Sequence, residues 1–264
     1  MIIAGVDGGL RVITQIAHQE QCGRIAAAWG NHAFARPEPW EPVVRAAGMH
    51  DEGWRPWEDE AGVDAAGRPR GFTDMPEDVH CAIHARSAAA ARDAGVRVGL
   101  LVGMHVSGLP MRRLGLDGPM PVPGDRGAAV EDLVRSQAVH ARQLRSAIGE
   151  GVEVASWAWA AYRVLQAVDL LSLYLTWRGL ASAEAWTLPR VPRCQGDERG
   201  RELVIRPAGA RACSVSPWPF ASARVSAPVD YRIIEDRPYR DAAALAAALV
   251  AAPTVRQDME LVAT

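Results

Sequence analysis

The chain of 264 residues contains no lysine; all 29 of its basic residues are arginine. That absence excludes a P-loop, whose lysine reaches the phosphates, and any Schiff-base lysine. Arginine still offers bidentate recognition of phosphate or carboxylate. Charge of one sign is also lacking. The formal net charge is -2, so neither a nucleic-acid partner nor an anionic membrane surface is expected. The longest apolar run, LQAVDLLSLYLTW, is interrupted by Asp169 and falls short of the about 20 residues a membrane span needs. The opening MIIAGVDGGLRVI lacks a basic segment followed by a long apolar run, so no signal peptide is expected. Cysteine is sparse. Cys22, Cys81, Cys194 and Cys213 form no C-x-x-C pair, which suits free thiols in a reducing cytoplasm.

What is present is a chain long enough to bury a sizeable core. IIAGV and LRVIT flank Asp7-Gly8-Gly9, the signal of a hairpin turn. Helical spacing begins near residue 15, with His18, Cys22, Ile25 and Trp29 on one face. A second helix is expected to run to about Trp54. The Gly-, Asp- and Pro-rich stretch 55–76 reads as a long loop and a candidate lid. A third helix runs from Pro76 to the stop at Gly95. VRVGLLVGMHV is apolar all round, as a buried helix or strand would be. An amphipathic helix over 128–148 and a long helix over 151–178 follow. After Pro189 short alternating strands take over, and AAALAAALVAA closes as a small helix. The expectation is a mainly α fold, a helical bundle core with a small β-rich C-terminal appendage and an N-terminal hairpin. Residues 1–188 form the helical domain and 189–264 the appendage.

The residues able to hold a metal fall on separate helices. His18 lies on the first, His50 and Asp51 end the second, and His80 and His84 lie one turn apart on the third. His105 ends the buried apolar segment. Asp169 sits among Val168, Leu170 and Leu171, where a carboxylate needs a cation or a tight hydrogen-bond network. Imidazoles together with carboxylates suit borderline ions: Fe or Mn first, with Zn, Co and Ni also accommodated.

The stretch AAGMHDEGW resembles the hallmark of the HD-domain metal-dependent phosphohydrolase superfamily, in which an apolar helix ends in His-Asp followed by glycine. The resemblance implies an HD-like helical core holding two divalent transition-metal ions. It assigns His18 as the first ligand, His50 and Asp51 as the pair, His105 as the second intervening histidine and Asp169 as the last ligand. For the first intervening position it favours His84, with His80 as the close alternative. Many members carry a lysine just beyond the pair, where this chain has Trp54 and Arg55; either Arg55 takes its place against substrate phosphate or phosphate is not the substrate. HDEGW, LLVGMH, LQAVDLLSL and PWPF together are similar to an uncharacterised group of bacterial HD-like proteins.

Plainer readings stand beside these. His50 and Asp51 also fit a histidine at a helix C-terminus followed by a solvated carboxylate. Asp169 also fits a buried cap or a partner of Arg163, and His105 taken alone a core histidine. Trp54 and Trp57 either fill the core or wall a pocket beside the metals. Arg112 and Arg113, just after His105, either meet an anionic substrate or face solvent.

The function expected is a cytoplasmic dinuclear metal-dependent hydrolase of a phosphoester or related small molecule, with Asp51 bridging the ions and Arg55 assisting. A mixed-valent diiron oxygenase of the same HD type is the alternative, because the ligand inventory is the same. A non-catalytic metal-binding module is the third reading. The partner expected is a small-molecule substrate, without nucleic acid or membrane; assembly into a homo-oligomer stays open.

Overall fold

Thr14 marks the change from strand to helix. Upstream, β1 (Ile2–Val6) and β2 (Gly9–Ile13) pair antiparallel as a hairpin. Thr14 then takes an extended backbone, and its hydroxyl accepts a hydrogen bond from Ala17 N at 3.0 Å, capping α1 (Gln15–Ala28). The computed structural model describes residues 1–111, 127–149, 151, 156–177 and 184–264.

α2 (Glu41–Ala47) starts with Pro42 in its first turn and stops at Gly48. Its contact with α1 is close because both sides carry glycine: a Cβ on Gly23 would lie 3.0 Å from Gly48 Cα. The second helix therefore ends well short of Trp54. The chain passes through His50 and Asp51 into a 3-10 turn over Glu52–Trp54 and then α3 (Arg55–Asp59). The stretch expected to be a free loop is fastened down. Val63 bridges Pro69, Ala61 is fully buried, and Phe72 N donates to Met1 O at 2.8 Å.

α4 (Glu77–Ala94) carries Glu77 and Asp78 in its first turn and Arg92 in its last, complementing the helix dipole. Gly95 turns the chain, at φ 147°, into α5 (Val96–Gly108), which is buried along most of its length. α6 (Ala128–Ile148) lies against α4 and α5. α7 (Trp157–Thr176) is capped by Ser156 and buried on every side, as its nearly unbroken apolar sequence demands. α1, α2 and α5 pack around α7, and β3 (Trp186–Val191) lies on it too. No helix of the described residues is long and apolar enough to cross a membrane.

The remainder is sheet: β4 (Arg201–Pro207), β5 (Ala212–Ser216), β6 (Arg224–Ser226), β7 (Val229–Ile234), then α8 (Ala242–Ala251), β8 (Val255–Gln257) and β9 (Glu260–Ala263). One sheet has the order β1-β2-β7-β8 and joins the N-terminal hairpin to the C-terminal region, with Leu10 opposite Ile234. The other has the order β3-β4-β5-β9-β6, with β9 inserted parallel to β5 and antiparallel to β6.

The mainly α expectation is corrected by this arrangement. Of the described residues 49% are helical and 20% strand, in two multi-stranded sheets, so the fold is mixed α/β. The physical reason lies in the core. Leu203, Ile205, Cys213, Val215 and Leu261 from the strands belong to the same buried cluster as Ile25 of α1 and Leu165 of α7. The sheet thus forms one wall of the helical core and is not an appended module.

Candidate metal centre

Five helices or helix ends deliver polar side chains to one place inside this core. α1 supplies His18 and, one turn on, Cys22; the turn after α2 supplies His50 and Asp51. α4 brings His84, α5 His105 and α7 Asp169. None of these is more than 6% exposed. Groups of this kind stay buried when hydrogen bonds, a counter-charge or a metal hold them.

His50 is the most informative. Its Nδ1 lies 2.9 Å from Ala47 O, and a carbonyl only accepts, so Nδ1 carries the proton. Nε2 is left with the lone pair. It sits 3.6 Å from Asp51 Oδ2 and 3.8 Å from Asp169 Oδ1, too far for hydrogen bonds, and has no hydrogen-bond partner among the described residues. A cation between these atoms would satisfy all three.

His18 is oriented in the same way. Ser172 Oγ gives its hydrogen to Gln21 Oε1 at 2.6 Å, so it accepts from His18 Nδ1 at 2.8 Å. Nε2 then faces Asp169 Oδ1 at 3.1 Å and Cys22 Sγ at 3.6 Å. Burial opposes a charge on His18, yet Cys22 and Asp169 together outweigh it and carry its pKa well above the ordinary value. Burial pushes the Cys22 thiol up, with His18 working the other way.

Gln166 Nε2 lies 2.6 Å from His105 Nδ1 and donates to it, which leaves the ring proton on Nε2; a metal bound at Nε2 would displace that proton. Anchoring one imidazole nitrogen so that the other can bind is the usual support of metal-ligating histidines. The rings of His18 and His50 lie edge to face at 5.5 Å, and those of His50 and His105 at 4.8 Å. Two donor groups result, His18, Cys22, His50 and Asp169, and His50, Asp51 and His105; within each, the ligand atoms lie within 4.8 Å of one another.

His84 is buried, and its Nδ1 has no hydrogen-bond partner among the described residues. Burial and then the neighbouring rings of His80, His105 and His50 hold it well below the ordinary histidine range, so it stands as a neutral donor beside the second group. His80 is only half-buried. It stacks on His84 at 4.3 Å and meets the edge of Trp54 at 5.4 Å, and burial lowers its pKa against the pull of Asp51. Of the two α4 histidines, His84 is the inner one.

The turn that carries the pair is tightly seated. Gly53 N donates to Ser87 Oγ at 2.9 Å, and a Cβ on Gly53 would lie 2.1 Å from Ile83 O. Gln19 of α1 clamps the other side: its Oε1 accepts from Asp51 N at 2.8 Å, and its Nε2 donates to Glu52 Oε2 at 2.9 Å.

Of the residues expected to meet substrate, the structure describes Trp54 and Arg55. Trp54 is 1% exposed and wedged between Trp57 and His80, filling core beside the histidines. Arg55 is half-exposed and pairs with Glu52 at 2.6 Å. It lines a surface cleft of about 400 Å³ with Glu58, Val12 and Leu249, and no histidine of the cluster lines that cleft. The 3-10 turn over Glu52–Trp54 is what turns Arg55 outward. Arg112 and Arg113 lie outside the described residues. Arg163 donates to Asp197 O at 2.8 Å. Cys22, Ser172, Gln21, Gln19 and Gln166 were not expected at the site. Spacing would have found some of them: Cys22 is one turn from His18, and Gln166 and Ser172 flank Asp169 at three residues on either side.

No curated protein and no solved structure matches the chain. A family model described as "Protein of unknown function (DUF3891)" matches residues 1–236, a span that holds every donor from His18 to Asp169. The chain belongs to that family.

Proposed function

We propose that the protein is a dinuclear metal-dependent hydrolase acting on a phosphoester or related small molecule in the cytoplasm. It takes its ligands in the order of the HD-domain superfamily. The observation that carries this reading is the orphaned, fully buried Nε2 of His50, aimed at two carboxylates and flanked by two further imidazoles. His18, His50 and Asp169 would hold one ion; Asp51, His105 and His84 would hold the other. A single imidazole nitrogen binds one ion, so His50 serves one side only and Asp51 remains the bridging candidate. Iron and manganese suit this set, as do zinc, cobalt and nickel. Bound ions supply an acidified water and polarise the bond under attack. The chain's own contribution is to fix the donors through Ala47 O, Ser172 and Gln166, and to keep bulk water from a nearly closed site.

A diiron oxygenase of HD type is the second reading, favoured by one observation: the ring stacked on His84 is His80, backed by Trp54 and then Trp57, while Arg55 faces solvent. A phosphate substrate would ask for a cation there.

Metal analysis of protein from iron- and manganese-supplemented cells tests both, followed by Mössbauer spectroscopy of an iron-57 sample and assay on a phosphoester panel. About two ions per chain with phosphoester turnover supports hydrolysis. A coupled mixed-valent iron pair without such turnover supports the oxygenase. Protein purified without stoichiometric metal overturns the metal centre altogether.

A further inference from the structure

Cys22 has no role in the reading above, yet it stands at the centre of the donor set. Its Sγ is fully buried, 3.6 Å from His18 Nε2, and forms one group with His50 and Asp169 whose ligand atoms all lie within 4.8 Å of one another. Val168 O lies 3.8 Å from it, a weak contact, and the Ser172 side chain is a further polar neighbour. The site also holds an independent pointer to a ligand, the unpartnered Nε2 of His50, which is 1% exposed.

The spacing suits a shared ion. Zinc binds sulfur at about 2.3 Å and imidazole nitrogen at about 2.0–2.1 Å, so neighbouring donors of a tetrahedron lie roughly 3.4–3.6 Å apart. The observed Sγ to Nε2 separation is 3.6 Å, and Nε2 to Asp169 Oδ1 is 3.1 Å. His18 and Cys22 project from the same face of α1, one turn apart, so the helix itself presets their separation.

We propose that Cys22 is the fourth ligand of the ion held by His18, His50 and Asp169. The inference rests on the metal-centre reading and adds the identity of the ion. As the metal–sulfur bond forms, the thiol proton passes to solvent and no oxidation state changes. A thiolate selects zinc, iron or cobalt over manganese at this position. With four protein donors, this ion is enclosed, and the open coordination position belongs to the other ion, beside Asp51 and His105.

The test uses protein produced in cobalt-supplemented medium, in a background where Cys81 and Cys194 are serine. Cobalt bound at the centre should show a thiolate-to-cobalt charge-transfer band in the near ultraviolet. Cys22→Ser should lose that band while retaining cobalt, and its zinc affinity should fall roughly tenfold or more with manganese affinity unchanged. X-ray absorption of zinc-loaded protein with Cys22 intact needs no variant at the site, and should find a sulfur scatterer at about 2.3 Å. Stoichiometric metal without that sulfur, or a band that survives Cys22→Ser, overturns the role of Cys22 and leaves the metal centre standing. Failure to bind cobalt, zinc, iron or manganese at all overturns both.

Discussion

Ser172 Oγ accepts a hydrogen bond from His18 Nδ1 at 2.8 Å and passes its own hydrogen to Gln21 Oε1 at 2.6 Å. One hydroxyl on α7 thus fixes the tautomer of a histidine on α1. Gln21 Nε2 donates onward to Ala227 O at 2.6 Å, tying the arrangement to the chain just before β7. Ser172→Ala should therefore keep the fold and weaken metal binding about 10–100-fold, the usual effect of losing an outer hydrogen-bond partner. Competition with a chelator of known affinity measures this, and an unchanged affinity would remove Ser172 from the site.

Asp51→Ala and Asp169→Ala should each lower bound metal to less than roughly a tenth of the parent level while helical circular dichroism persists. The helices have their own caps and apolar packing, so the fold does not depend on either carboxylate alone. Full metal content in both variants would refute the assignment of these two residues.

Gly53→Ala tests the seat of the His50–Asp51 turn. A methyl there would meet Ile83 O at 2.1 Å and Ser87 N at 2.6 Å, both backbone atoms of α4 that cannot swing aside. The turn must lift from α4, costing about 1–3 kcal/mol as overpacking does, and moving Asp51 with it. Denaturant unfolding gives the stability, and metal content reports the displacement; a neutral result would mean the turn moves off α4 without disturbing the donors.

Cys213 predicts how stability responds to alkali. Burial in β5 pushes its thiol from 9.0 up to about 12. Below pH 9 folded and unfolded chains both hold the proton and nothing is lost. Between pH 9 and 12 the unfolded chain ionises while the folded one does not, so stability falls by up to about 1.4 kcal/mol per pH unit. Tyr174, raised to about 12 by burial, acts in the same direction. Denaturation midpoints between pH 8 and about 10.5 should show the decline, and Cys213→Ala should flatten it. In native protein at neutral pH, Cys194 should alkylate quickly and Cys213 hardly at all, since one is exposed and the other buried.

Much of the donor set was legible in the sequence for a local reason. A carboxylate amid Val168, Leu170 and Leu171, or a His-Asp pair at a helix end, departs from the pattern around it, and such departures mark sites. His18, His50, Asp51, His105 and Asp169 stood out in this way, and the structure gathers them. Cys22 did not, because a cysteine on an apolar helix face looks like any small core residue. Arg55 is near the pair in sequence yet points away from it: two residues beyond Gly53, a tight turn has already aimed it at solvent. The sheets were underestimated because their strands are short and their pairings distant. Nothing local in Leu10 announces Ile234, and nothing in Leu261 announces a place between Cys213 and Val225.

The near-complete enclosure of the cluster has a kinetic consequence. Donors spread from residue 18 to residue 169 come together only as the helices pack, and once packed they leave no more than 6% of any donor residue exposed. Exchange of an ion through such a shell waits on a local opening of the packing around it. Metal should therefore enter during folding and leave at a rate set by that opening, not by the strength of the chelator outside. Raising chelator concentration should hasten its loss only up to a plateau. That plateau is the breathing rate of the core.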